Sequence, residues 1–75
     1  AGIRLAVIFI ENKDEGIIKI SLRSEGDFSV NEFARAYFNG GGHTNAAGGR
    51  STQSMEETVS YFRSLLPKHQ KELNK

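Results

Sequence analysis

Cysteine does not occur in this chain of 75 residues. Its absence removes disulfide staples, thiolate metal sites and thiol nucleophiles, and it suits a reducing, cytoplasmic setting. Proline is used once, at Pro67, where it breaks or restarts the chain. Net charge is scarce: 10 Lys and Arg against 9 Asp and Glu leave a formal +1, so affinity for nucleic acid must come from a local cluster rather than from bulk basicity. Long hydrophobic runs are missing as well. The apolar stretch IRLAVIFI, residues 3 to 10, is too short for a bilayer span, which takes about twenty residues. ENKDEG follows it where a secretory signal would carry a small-residue cleavage site. We expect no membrane contact. The chain begins at Ala1 and is in strand pattern by Ile3, which reads as a piece cut from something longer.

What is present is the make-up of one small soluble domain, with 37% hydrophobic and 25% charged residues. At this length a single apolar core leaves a net stability of only ~3–5 kcal/mol. Residues 3 to 11 are apolar on both faces and rich in Ile, Val and Phe, which predicts a strand covered on both sides and central in its sheet. After the polar turn NKDEG, residues 17 to 24 alternate, with Ile18, Ile20 and Leu22 on one face and Lys19, Ser21 and Arg23 on the other. Ser29 or Asn31 can cap a helix whose apolar stripe is Val30, Phe33, Ala34, Tyr37 and Phe38. Asn39 and Gly40 are suited to close it in the left-handed conformation. Residues 48 to 53 read as a short third strand. Ser54 and Glu57 form a capping box for a second helix, with a stripe of Met55, Val59, Phe62 and Leu66. The polar segment KHQKELNK that ends the chain reads as a helix or a frayed tail. The expected architecture is therefore α+β, a small mixed sheet with an N-terminal β-hairpin and helices packed on it, in the order β-β-α-glycine loop-β-α.

The most unusual stretch is NGGGHTNAAGG, residues 39 to 49. Glycine loses more backbone entropy on folding than any other residue, so a run of them needs a reason. The run follows a helix, whereas the dinucleotide-binding fingerprint follows a strand, and Asn45 stands where that motif has its last glycine. A Walker loop is excluded too, because no lysine lies between Lys19 and Lys68. Simpler physics still allows an anion site: successive unhindered amides of Gly40, Gly41 and Gly42 can form a nest, a helical turn starting near His43 would add its dipole, and His43 can donate from its ring. The plain alternative is a flexible surface loop with His43 as a capping or packing residue.

Other candidates carry less. Arg23, on the polar face at the end of the second strand, can hold a phosphate bidentately or be a solvated strand-end charge. Asn45, Ala46 and Ala47 fit either a tight turn under a ligand or a close helix-to-sheet contact. His43, His69, Asp14 and Asp27 show no metal-ligand spacing, and no nucleophile elbow accompanies the serines.

GGGHTNAAGG at 40 to 49, preceded by SLRS at 21 to 24 and separated from it by the amphipathic helix, resembles the C-terminal DHH-associated domain, type 1, of the DHH phosphoesterases. That family takes in nanoRNases that also dephosphorylate 3′-phosphoadenosine 5′-phosphate, RecJ-like exonucleases, cyclic-dinucleotide phosphodiesterases and exopolyphosphatase-related proteins. The resemblance runs from residue 3 to about residue 66. It implies a division of labour in which a separate N-terminal DHH domain binds manganese or a similar divalent metal and hydrolyses, while this domain holds the nucleotide or short RNA. It implies that Gly40, Gly41, Gly42 and His43 line a phosphate cradle, that Arg23 and Ser24 reach substrate from the strand end, and that Asn45 supports the loop. Strict alternation points Ser24 away from Arg23, so Ser24 reaches the ligand only where the strand bends or ends. No catalytic residue, metal or cofactor is expected in this chain. Two rivals stand beside this expectation: a non-catalytic module binding single-stranded nucleic acid, and a structural or dimerisation domain with an incidental loop.

Overall fold

The computed structural model describes residues 4–69; Ile3 and the polar tail beyond His69 lie outside them. Strand β1 (Leu5–Asn12) and strand β2 (Ile17–Ser24) form a hairpin, followed by helix α1 (Val30–Tyr37), strands β3 (Gly41–His43) and β4 (Ala46–Ser51), helix α2 (Met55–Leu65) and a 3-10 turn, Leu66–His69. The four strands form one sheet in the order β1-β2-β4-β3. The α+β class is the expected one, but every strand pair is antiparallel, so the sheet is not mixed. Each neighbour pair either is a hairpin or, for β2 and β4, is reached by a connection through α1 that returns the chain in the opposite direction.

Two further expectations are corrected here. β1 is an edge strand, not a central one. Its inward residues Leu5, Val7 and Phe9 pack against the core, whereas Ile8 and Ile10 are 59% and 53% exposed, so apolar residues on both faces did not signal burial on both. The glycine run is not a loop either. Gly41 to His43 pair with β4 across the two-residue turn Thr44–Asn45, and His43 therefore sits in a strand rather than opening a helical turn. β4 starts at Ala46, two residues before the expected third strand.

The alternation in β2 sets the layers. Ile18, Ile20 and Leu22 are buried beneath Val30, Phe33, Ala34 and Phe38 of the α1 segment and Phe62 and Leu65 of α2. Phe33 sits among the rings of Phe28, Tyr37, Phe38, Phe62 and His69, with centroids 5.0 to 6.0 Å away, a range in which edge-to-face contacts add to area burial. Ser29 caps α1, accepting from the Glu32 amide, and Asn39, at φ 52, closes the helix in the left-handed region.

Ser54 caps α2, accepting from the Glu57 amide at 3.1 Å and donating to Glu57 Oε1 at 3.0 Å. Its buried stripe is rotated from the expected one, to Thr58, Phe62 and Leu65. Thr58 is buried because its hydroxyl donates to Ser51 Oγ at 2.8 Å, which satisfies the polar group in place. Losing the cap has a measurable price: Ser54→Ala is expected to lower stability by about 1 kcal/mol. In a domain of this size that moves Tm down by about 4–8 °C; a thermal melt unchanged from wild type would show that the cap contributes nothing.

Candidate phosphate-binding face

Both helices lie on one side of the sheet, and the other side carries the outward half of the β2 alternation. The pairing register brings residues far apart in sequence into rows on that side. Arg23 pairs with Ala46, and Ala46 with His43. Strands are ~4.8 Å apart, so the register sets the main chain at Arg23 and at His43 about 10 Å from one another with a single alanine between them. Both are exposed, and neither has a hydrogen bond or ion pair of its side chain among the described residues. Ser21 pairs with Gly48, and Lys19 with Arg50, further along the same face.

Two hollows mark this side. One, of about 420 Å³, lies at the strand end, lined by Arg4, Leu5, Ala6, Arg23, Ser24 and Glu25. The other, of about 550 Å³, lies toward the hairpin, where Lys19, Ser21, Asn39, Gly41, Gly48 and Arg50 are among its walls. The larger hollow is thus away from the Arg23–Ala46–His43 row, although both open on one sheet face. His69 lies elsewhere, its Nε2 3.0 Å from the Tyr37 hydroxyl on the helix side. No three His, Asp or Glu side chains come together in a metal-ligating group among the described residues.

Ser24, buried, and Asn45, exposed, both bond to the protein's own groups. Ser24 is on the core side, 8% exposed. Its hydroxyl donates to the Phe28 carbonyl at 2.7 Å and accepts from Asn45 Nδ2 at 3.0 Å. It borders the strand-end hollow, but its proton is held by a main-chain acceptor. Asn45 Nδ2 also donates to the Gly26 carbonyl, and the Asn45 carbonyl accepts from the Ser24 amide. These bonds pin the β3–β4 turn to the end of β2. They fix the separation of His43 from Arg23.

The glycines divide by what a side chain would meet. A Cβ on Gly40 would stand 1.9 Å from the Gly48 carbonyl oxygen, and one on Gly42 would stand 2.6 Å from that of Ala46. On Gly49 it would strike Phe38 Cβ at 2.6 Å. At these three positions the protein's own chain is what comes close. The Gly40 amide donates to the Ala34 carbonyl and the Gly42 amide to Asn31 Oδ1, so these two amides face protein acceptors and do not join a nest of free donors. Gly41 is less confined, with Asn31 Oδ1 at 3.2 Å and Arg35 Cγ at 3.3 Å. Gly48 meets only the Ile20 carbonyl, at 3.4 Å, and otherwise opens onto the face. Lys19, Gly48 and Arg50 were missed from the sequence as partners of Arg23. The signal for Lys19 was present, since it shares the alternation phase of Arg23; that for Gly48 and Arg50 was not, since their place depends on the register of β4 against β2.

A four-stranded antiparallel sheet with its helices on one side, and on the other a bare face of cations, small residues and the exposed Ile8 and Ile10, defines a small α+β domain. The particular family follows from sequence and structure together: residues 2–69 match the DHHA1 domain, and the chain belongs to that family. It is similar to an exopolyphosphatase-related protein from Bacteroides fragilis, with a TM-score of 0.80 and 45% identity over 87% of this chain and 18% of that one. The chain thus spans less than a fifth of the length of that protein. Among curated proteins nothing matches. DHHA1 domains sit with an N-terminal DHH catalytic domain in DHH-family proteins. No helix among the described residues is long and apolar enough to cross a membrane.

Proposed function

We propose that this chain is the substrate-binding domain of a DHH-type phosphoesterase acting on short oligoribonucleotides or nucleotide phosphates. The observation that carries this is the row Arg23–Ala46–His43. It sets two donors, neither with a side-chain partner among the described residues, on either side of one methyl group, so a phosphate near Ala46 is within reach of a guanidinium on one side and an imidazole on the other. Arg23 supplies a fork of donors and a permanent charge. His43 supplies a ring N–H donor. Gly40 and Gly42 serve by letting β3 lie close against β4, which sets His43 at its place in the row. The residues here bind and orient; the bond is broken elsewhere. The divalent metal of the family, manganese or a similar ion, belongs with the DHH domain, because the donors of this face suit an anion.

The test is calorimetric titration of the chain with a short oligoribonucleotide. Ala46→Glu sets a carboxylate between the two donors at a half-buried, outward position. It should leave the fold intact and reduce affinity at least tenfold, since a like charge opposes the ligand and competes for both donors. Wild-type affinity in a folded Ala46→Glu chain would place the phosphate elsewhere.

A further inference from the structure

Lys19 and Arg50 are directly opposite one another across β2 and β4. Like charges in that position repel and weaken an antiparallel pair, so folding alone gives no reason for the pairing. The protein offers little compensation. Glu15 Oε1 is 3.9 Å from Lys19 Nζ, but the same oxygen accepts from Asn12 Nδ2 at 2.7 Å, and the Arg50 side chain has no hydrogen bond or ion pair among the described residues. Both cations border the hollow of about 550 Å³, whose walls also include Ser21, Asn39, Gly41, Gly48 and the Glu15 carboxylate.

From this geometry we infer that Lys19 and Arg50 form a second phosphate subsite and that the ligand is a single-stranded oligonucleotide laid along the open face. The inference rests on the phosphate reading of the Arg23–His43 row. Lys19 and Arg23 are four residues apart on one strand, about 13 Å at ~3.3 Å per residue. A stacked strand advances ~3.4 Å per nucleotide and an extended one more, so an oligonucleotide of about three to five nucleotides engages both rows and a mononucleotide only one. Between the rows, Ser21 and Gly48 leave a low floor over which the sugar–phosphate chain passes.

The experiment compares a nucleoside 5′-monophosphate, a pentaribonucleotide and inorganic tripolyphosphate by calorimetry, using the wild-type chain, Lys19→Ala, Arg50→Ala and the double variant. Each single variant is expected to weaken the pentanucleotide about fivefold and to lower the slope of log K against log salt by about 0.7. The monophosphate should bind all four proteins alike. Thermal stability should stay level or rise slightly in the variants, because a repulsive pair has been removed; a merely structural role for the pair would lower it. The inference is overturned if the pentanucleotide binds the double variant like wild type, if the variants weaken monophosphate and pentanucleotide equally, or if tripolyphosphate, too short to reach both rows, gains as much over the monophosphate as the pentanucleotide does. Monophosphate binding that survives in those cases leaves the Arg23–His43 reading standing. If the wild-type chain binds neither nucleotide, both readings fail together.

Discussion

Gly40→Ala is expected to abolish the native fold, although it adds one methyl group at the protein surface. The added carbon would lie 1.9 Å from the Gly48 carbonyl oxygen, 2.6 Å from Gly49 Cα and 2.8 Å from the Gly48 carbonyl carbon. All three are main-chain atoms, so no side chain can rotate away to make room. Relief requires that β3 separate from β4 or that the exit from α1 shift, and either movement breaks bonds the fold uses. Gly40 donates to the Ala34 carbonyl, and Arg50 donates to the Phe38 carbonyl two residues before it. The cost exceeds the ~3–5 kcal/mol of net stability available to a domain of this length. Far-UV circular dichroism and a thermal melt at 25 °C and above test this directly. A cooperative transition within a few degrees of wild type would show that the close approach is not rigid. Gly48→Ala is the control: its Cβ meets only the Ile20 carbonyl, at ordinary contact distance, and alanine is favoured over glycine inside a strand by about 0.5–1 kcal/mol. That variant should fold and melt slightly higher.

The contrast shows what the sequence of 39 to 49 could and could not say. Three adjacent glycines look alike in sequence, but Gly40 and Gly42 are confined by main chain and Gly41 by movable side chains. That difference arises from where β4 passes, and β4 is specified by residues after the turn. β3 itself was hidden because Gly41, Gly42 and His43 offer no apolar alternation to detect. The β2 strand was legible because Ile18, Ile20 and Leu22 alternate with Lys19, Ser21 and Arg23, and both helix starts were legible because Ser29 and Ser54 cap their own next turns. Such signals are local. The edge position of β1 is not local: Ile8 and Ile10 look the same in sequence whether or not a layer covers them.

The candidate site follows the same division. Arg23 and His43 each stood out singly, one as an outward strand-end charge and one as the residue closing the glycine run. Their union in one row depends on β2 pairing with β4, a contact across twenty-three residues of chain at Arg23–Ala46. The face opposite the core is also where propensity rules are broken most openly, with Lys19 against Arg50 and Gly48 against Ser21. Local choices that oppose stability tend to collect where function requires them.

Arg23→Ala and His43→Ala are expected to weaken phosphate binding in ways that pH tells apart. The suitable ligand is a dinucleoside monophosphate, whose single phosphodiester keeps one charge from pH 5 to pH 8, whereas a terminal phosphate gains charge near pH 6. Arginine stays protonated throughout, so Arg23→Ala should weaken binding by about the same amount at every pH, up to 1.5–3 kcal/mol for one charge-assisted contact, with solvent exposure holding it toward the lower end. Histidine changes charge between about pH 5 and pH 8, and a bound phosphate favours its protonated form. Binding by wild type should therefore take up a proton, with affinity highest at pH 5 and falling as pH rises; in His43→Ala that slope should flatten. The double variant should lose less than the sum of the two single losses, because both donors address one ligand group and the second loss finds a ligand already loosened. Calorimetry of the four proteins at pH 5, 6, 7 and 8, repeated in buffers of different ionisation enthalpy, measures affinity and proton uptake together. Strict additivity would mean that Arg23 and His43 serve separate groups of the ligand. A pH slope that survives in His43→Ala would assign the proton to another residue, and the row across Ala46 would cease to be the site.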